Sequence, residues 1–209
     1  MTKAFKQENT RASADSNLSH EDSLNPLKKP SMNSINEQQR ERNHEDLTGR
    51  KAVERIKATV DKAQTCFFCT GGAVVGADGI RPMNVRKVDD EGVLWFLSAN
   101  DSHKNQELER TSEVVLLFQG TPHSDFLQLS GTASVSRDRG KIQELWEPVL
   151  KTWFTEGVDD PRITVIRVVP EQGYYWDNKH GNMVAGIKMI IGAMSGKTLD
   201  DSIEGEVVP

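Results

Sequence analysis

Arg81 stands directly before a proline in Ile80-Arg-Pro-Met-Asn-Val-Arg86, and Ser102, His103 and Lys104 follow Asp101 in Asp-Ser-His-Lys. A guanidinium, a hydroxyl and an ammonium that converge can each donate to phosphate oxygens, and the charged donors do so most strongly. The chemistry these residue types point to is recognition of a phosphate monoester. Pro82 has no N–H and therefore belongs at a sheet edge or bulge, which leaves Arg81 and its backbone neighbours open to a ligand. Ser102 or Asp101 caps a helix with Lys104 in its first turn, and the dipole and free N–H groups of such an end attract anions.

Other reactive side chains do not assemble. Cys66 and Cys69, in Cys-Phe-Phe-Cys, read as strand thiols: residues i and i+3 of a strand point to opposite faces, and no βαβ unit surrounds them. Two thiols alone do not complete a tetrahedral zinc site. His103, His123 and His180 lack metal-ligand spacing, and Glu156, Asp159 and Asp160 lie in a Gly/Pro loop where turn and capping roles account for them.

Composition narrows the function further. With 26 basic against 31 acidic residues, a net charge of -5 and a pI near 5.6, the chain has no clustered positive face for nucleic acid. No apolar run approaches the ~20 residues that span a bilayer. The first residues, Met-Thr-Lys-Ala-Phe-Lys-Gln-Glu, contain no apolar h-region, so a cytoplasmic location is expected.

The elements that must position the candidate residues are legible from periodicity. Residues 1–46 are polar, with Phe5 as their one aromatic, and read as a disordered tail that cannot offset its ordering entropy. Residues 47–197 form the folded domain and 198–209 a C-terminal tail. Val53, Ile56, Val60 and Ala63 predict an amphipathic helix to about Gln64, capped by Thr48. Strands are expected at Cys66 to Val75, Ile80 to Val88, Val93 to Ser98, Glu113 to Gln119, Asp125 to Arg137 and Arg162 to Trp176, with turns at Gly76–Gly79 and Asp89–Gly92. Helices are expected from Ser102 to Arg110, from Asp138 through Val149, and from about Gly181 to Met194. Six hairpin-linked strands with flanking helices indicate an antiparallel β-barrel of the α+β class.

Seven motifs in order carry a resemblance: Arg81-Pro-Met, Trp95-Phe-Leu-Ser98, Ser102-His-Lys104, Leu129-Ser-Gly-Thr-Ala133, Asp138-Arg with Leu145-Trp146, Trp153-Phe through Asp159-Asp-Pro161, and Tyr175-Trp-Asp177. Together they resemble the general stress protein 26 family of FMN-binding split-barrel proteins, a branch of the pyridoxamine 5'-phosphate oxidase-like superfamily, over roughly Leu47 to Lys197. The resemblance implies a six-stranded antiparallel split β-barrel and a homodimer with FMN in the grooves at the subunit interface. By motif, Arg81, Pro82, Met83 and Asn84 would line the flavin, with Arg81 reaching its phosphate. Leu97 and Ser98 would touch the isoalloxazine and phosphate ends, and Ser102, His103 and Lys104 would complete the phosphate cradle. Trp176 matches a tryptophan supplied by the partner subunit, and Gln128 lies two residues from the flavin-facing glutamine position, here Phe126. One departure stands out: where the oxidase proper has an Arg-x-His-x-Arg-like clamp for its phosphorylated substrate, this chain reads Asn178-Lys-His-Gly-Asn182.

The function expected is a non-covalent FMN flavoprotein passing electrons between a reduced nicotinamide or other donor and a small acceptor, the flavin supplying the redox chemistry. A non-enzymatic protein that stores or senses flavin, with the tail engaging a partner, is the alternative. A deazaflavin such as F420, or haem, is a further possibility for the cofactor.

Overall fold

Residues 43–71, 79–180 and 201–209 are described by the computed structural model. Among them the chain runs β1 (Leu47–Thr48), α1 (Arg50–Ala63), β2 (Thr65–Thr70), β3 (Ile80–Asn84), β4 (Lys87–Val88), β5 (Leu94–Ala99), α2 (His103–Leu108), β6 (Glu113–Gln119), β7 (Phe126–Ser136), α3 (Arg139–Leu145), β8 (Ile163–Asn178) and β9 (Ser202–Val208). Two 3-10 turns, Pro148–Thr152 and Gly157–Asp159, connect α3 to β8. No helix among the described residues is long and apolar enough to cross a membrane.

Seven strands lie in the order β1-β9-β8-β7-β6-β2-β3, and β5, itself paired with β4, joins β8. The 16-residue β8 makes this branching possible. Its first half pairs with β5, its second half with β9, and β7 runs beside both. The fold is α+β, as the sequence predicts, but its sheet is larger and mixed. Nine strands are present among the described residues instead of six, the β1–β9 pair is parallel, and the strand order has free ends.

β1 and β9 are too short or too polar to show a period: Leu47–Thr48 spans two residues, and Ser-Ile-Glu-Gly-Glu-Val-Val carries a glycine and two glutamates. The segment 198–209 is therefore not wholly a tail. Nor are the residues before 47 all outside the domain, since Glu204 N–H donates to Asn43 O at 3.0 Å and Glu45 N–H to Glu204 O at 2.9 Å. Thr48 belongs to β1, and Gly49 occupies the cap of α1 with no side-chain cap bond. The expected strand Ile80–Val88 is interrupted at Val85 and Arg86, whose N–H groups turn to Gln64 O and Trp95 O. The helix after Asp138 ends at Leu145, so Val149 lies in the 3-10 turn. The expected helix at Gly181–Met194, the strand residues 72–75 and most of the turn Gly76–Gly79 fall outside the described residues.

Two apolar clusters hold the sheet. Ile56 and Val60 of α1, Phe68, Leu116, Leu127, Leu129, Phe96, Ile166 and Tyr175 fill the inner one. Leu97, Ile142, Leu145, Phe154, Ile163 and Val165 form a second on the opposite face of β5 and the first half of β8, under α3. Between Ser130 and Gly131 the β7–β8 register shifts by a bulge. A Cβ on Gly131 would fall 2.1 Å from Val169 O, so only glycine lets the two backbones approach there.

Candidate functional site

The two faces of the sheet divide the residues that the sequence singles out. Side chains alternate along a strand; Arg81 is cross-strand from Phe68 and Met83 from Cys66, both in the inner core. Arg81 and Met83 therefore point inward at the end of β2–β3. There α2 covers them, because Lys104 and Glu107 are three residues apart and share one face of that helix.

Arg81 Nη2 donates to Glu107 Oε2 at 2.7 Å, and the Thr70 hydroxyl donates to the same oxygen. Lys104 Nζ donates to Met83 Sδ at 3.0 Å, with only 6% of the lysine exposed. Arg81 Nη1 is buried and has no partner among the described residues. Burial pushes the Lys104 ammonium down to about 8; the Arg81 charge adds to the shift and Glu107 opposes it. Burial works to raise the Glu107 carboxyl, but the hydrogen bonds from Thr70 and Arg81 outweigh it and hold the group below its usual range. A cavity of about 500 Å³ opens beside this cluster, lined by Thr70, His103, Gln106, Glu107 and Arg110 among others. Its volume is that of an ordinary small-ligand site.

Ser102 caps α2, its Oγ accepting from Asn105 N–H at 3.3 Å and lying 3.2 Å from Ser98 Oγ. Asn105 Nδ2 donates to Thr164 Oγ1 at 2.8 Å, which donates in turn to Ser98 O at 2.9 Å. This chain of bonds pins α2 to β5 and β8, so Lys104 and Glu107 are presented by a braced element. The helix has six residues, too few for a strong terminal dipole, and anion attraction falls to the side chains. His103 is exposed at its start.

The remaining candidates lie elsewhere. Leu97 packs in the second cluster, on the other face of β5 from Ser98. Pro82, Gln128 and Trp176 sit on the outer face of the sheet. There a continuous cross-strand row runs from Pro82 through Phe67 and Leu117 to Gln128 and Tyr174. Phe67, Leu117 and Trp176 are 56%, 40% and 41% exposed, and the Trp176 ring lies 4.8 Å from that of Tyr174. Asn84, exposed at the end of β3, accepts from Arg86 Nη1 at 2.9 Å. Cys66 and Cys69 are free and buried, and burial pushes the Cys66 thiol up to about 12, which leaves it inert as a nucleophile.

Sequence reasoning missed Thr70, Glu107, Asn105 and Thr164. The helical spacing Lys104-x-x-Glu107 was the signal available for one of them; Thr70 and Thr164 have none, because only the sheet register brings them to α2.

Residues 51–200 match the family described as pyridoxamine 5'-phosphate oxidase like. The chain belongs to the pyridoxamine 5'-phosphate oxidase-like family. Protein bli-3 of Neurospora crassa is 30% identical over 104 residues, which are 46% of this chain and 50% of bli-3, so the match spans about half the length of that relative. Among solved structures, general stress protein 26 of Jannaschia sp. CCS1 superposes with a TM-score of 0.61 at 18% identity, over 75% of this chain and 97% of that one. A general stress family protein of Xanthomonas campestris gives 0.52 at 26% identity, over 61% and 86%. The general stress FMN/FAD binding protein of Xanthomonas citri gives 0.50 at 24% identity, over 58% and 84%.

Proposed function

We propose that this family member binds FMN, with Arg81 and Lys104 holding the phosphate, and acts as a flavin-dependent oxidoreductase on a small acceptor. One observation carries the reading. A buried guanidinium nitrogen without a partner among the described residues and a buried ammonium whose hydrogen-bond acceptor there is a thioether converge at one end of the inner sheet face. A buried donor left unsatisfied costs about 1–3 kcal/mol, and a phosphate oxygen would satisfy both groups at once. The residues present therefore fit a phosphorylated cofactor.

Bound FMN would supply reversible uptake of hydride or single electrons. The chain's own residues bind and orient. Arg81 and Lys104 neutralise the phosphate, Ser98 and Ser102 brace the helix that carries Lys104, and the stretch Pro82 to Asn84 offers an edge for the ring system. Gln128 and Trp176, on the outer face, serve a ligand only from across an interface. A second copy of the chain seated over Phe67, Leu117 and Trp176 would cover that exposed apolar row and supply its own Trp176 to the flavin, completing a split-barrel dimer. The cytoplasm suits the two free thiols.

The test is titration of the purified full chain with FMN, then with riboflavin, followed by steady-state reduction with a nicotinamide donor. Micromolar or tighter FMN binding with turnover is expected. No binding at micromolar FMN overturns the reading, and binding without turnover with any donor reduces it to storage or sensing.

A further inference from the structure

Resting on the phosphate site just proposed, we infer that Glu107 is a resident counter-anion that the ligand's phosphate must displace from Arg81, and that it thereby sets how strongly the site discriminates phosphorylated from unphosphorylated flavin. The geometry carries this. Glu107 Oε2 takes the Nη2 hydrogen of Arg81 at 2.7 Å, the same fork a phosphate would grip with two parallel bonds. Thr70 holds that oxygen with its hydroxyl, so the carboxylate is fastened to the strand as well as to the arginine. With Glu107 in place one Nη2 hydrogen of Arg81 is already taken, while Nη1 is buried with no partner among the described residues.

The charges agree. Arg81 and Lys104 are two cations in a largely buried site, and Glu107, with 24% of its side chain exposed, is the anion among the described residues paired with either. Without a ligand it keeps two like charges tolerable side by side. A phosphate monoester carries about -1.5 to -2 at pH 7. Approaching Arg81, it meets a carboxylate on the same guanidinium, and like charges at that separation disfavour one another. Riboflavin meets no such conflict, having no anion to place there.

The test compares FMN and riboflavin affinities of the wild-type full chain and Glu107→Gln, which keeps the shape and removes the charge. FMN is expected to tighten at least tenfold while riboflavin changes less than twofold. Without ligand, Glu107→Gln is expected to melt lower than wild type, so stability and FMN affinity move in opposite directions, which a merely structural role would not produce. Should the variant fail to fold, Thr70→Val carries the same comparison: loosening the carboxylate is expected to tighten FMN about threefold. FMN affinity unchanged or weakened, or FMN and riboflavin shifting equally, overturns the inference and leaves FMN binding itself standing. Absence of micromolar FMN binding in the wild type overturns both.

Discussion

The ammonium of Lys104 lies 3.0 Å from the thioether of Met83, a buried cation resting on a weak neutral acceptor. Burial lowers its pKa from 10.5 to about 8. In the unfolded chain it takes a proton below 10.5, in the fold only below about 8. Stability without ligand therefore rises with pH across that window, by up to about 3 kcal/mol. A bound phosphate favours the ammonium, so FMN affinity is expected to fall as pH rises above 8. Calorimetric titration of wild type and Lys104→Met across pH 7–10 checks this: the slope should vanish in the variant. An equal slope in both would place the titrating group elsewhere.

Arg81 and Pro82 are adjacent in the chain and face opposite sides of the sheet, so the proposed phosphate-binding groups and the row through Phe67, Leu117 and Gln128 are separated by the sheet itself. Leu117→Glu puts a charge at the centre of that row, at a residue 40% exposed. Monomer stability should change little, since the new carboxylate stays solvated. The mass measured by light scattering is expected to halve from that of a dimer. A dimer surviving in both Leu117→Glu and Phe67→Glu would move the interface to another face.

How much of this was legible follows the periods. Phe126 to Ser136 alternates over eleven residues, and its strand stands within a residue of its expected bounds; Ser102 and Asp138 cap the helices expected of them. Lys104 was readable because it follows the cap of a short helix, in the Ser102-His-Lys104 motif that the resemblance ties to a phosphate. What was not legible depends on distant pairing. β9 earns its place through Val207, fully buried against the sheet, while its exposed glutamates disguise it. Glu107 reads as an ordinary helix-surface residue until Arg81 is brought beside it from another strand.

The contact between the 43–46 segment and β9 gives a stability prediction. Tyr175 Oη donates to Glu45 O at 2.9 Å, and a Cβ on Gly205 would fall 1.9 Å from that same carbonyl oxygen. Gly205→Ala must push the 43–46 segment off β9. It is expected to lower the melting temperature by several degrees, on the order of 2 kcal/mol. Removal of residues 1–46 takes away the same contacts and should destabilise likewise, whereas removal of 1–42 leaves them in place. Circular dichroism melts of the three variants decide it; an unchanged melt for Gly205→Ala would show that the segment does not need its seat.

Oxidation of pyridoxine or pyridoxamine 5'-phosphate is expected to be negligible. Such a substrate needs a cationic clamp of its own, separate from the one proposed for the FMN phosphate. The positions following Tyr175-Trp-Asp177 offer Asn178, Lys179 and His180, and their polar groups are already engaged. Lys179 Nζ donates to Asn43 Oδ1 at 2.5 Å, and His180 Nδ1 lies 2.6 Å from Asp201 Oδ1. Arg86, just before β4, and Lys87, its first residue, are the other candidate cations for a clamp, but Arg86 Nη2 pairs with Glu147 at 2.6 Å and Lys87 Nζ with Glu144 at 2.6 Å. One lysine and a histidine do not reproduce the bidentate hold of paired arginines. Losing two charge-assisted contacts at about 1.5–3 kcal/mol each lowers affinity by roughly two to four orders of magnitude. Pyridoxal phosphate formation by the FMN-loaded protein is the measurement. Turnover matching that of a dedicated oxidase would mean that Glu147 or Glu144 yields its cation to the substrate, and Glu147→Gln would then raise the rate further.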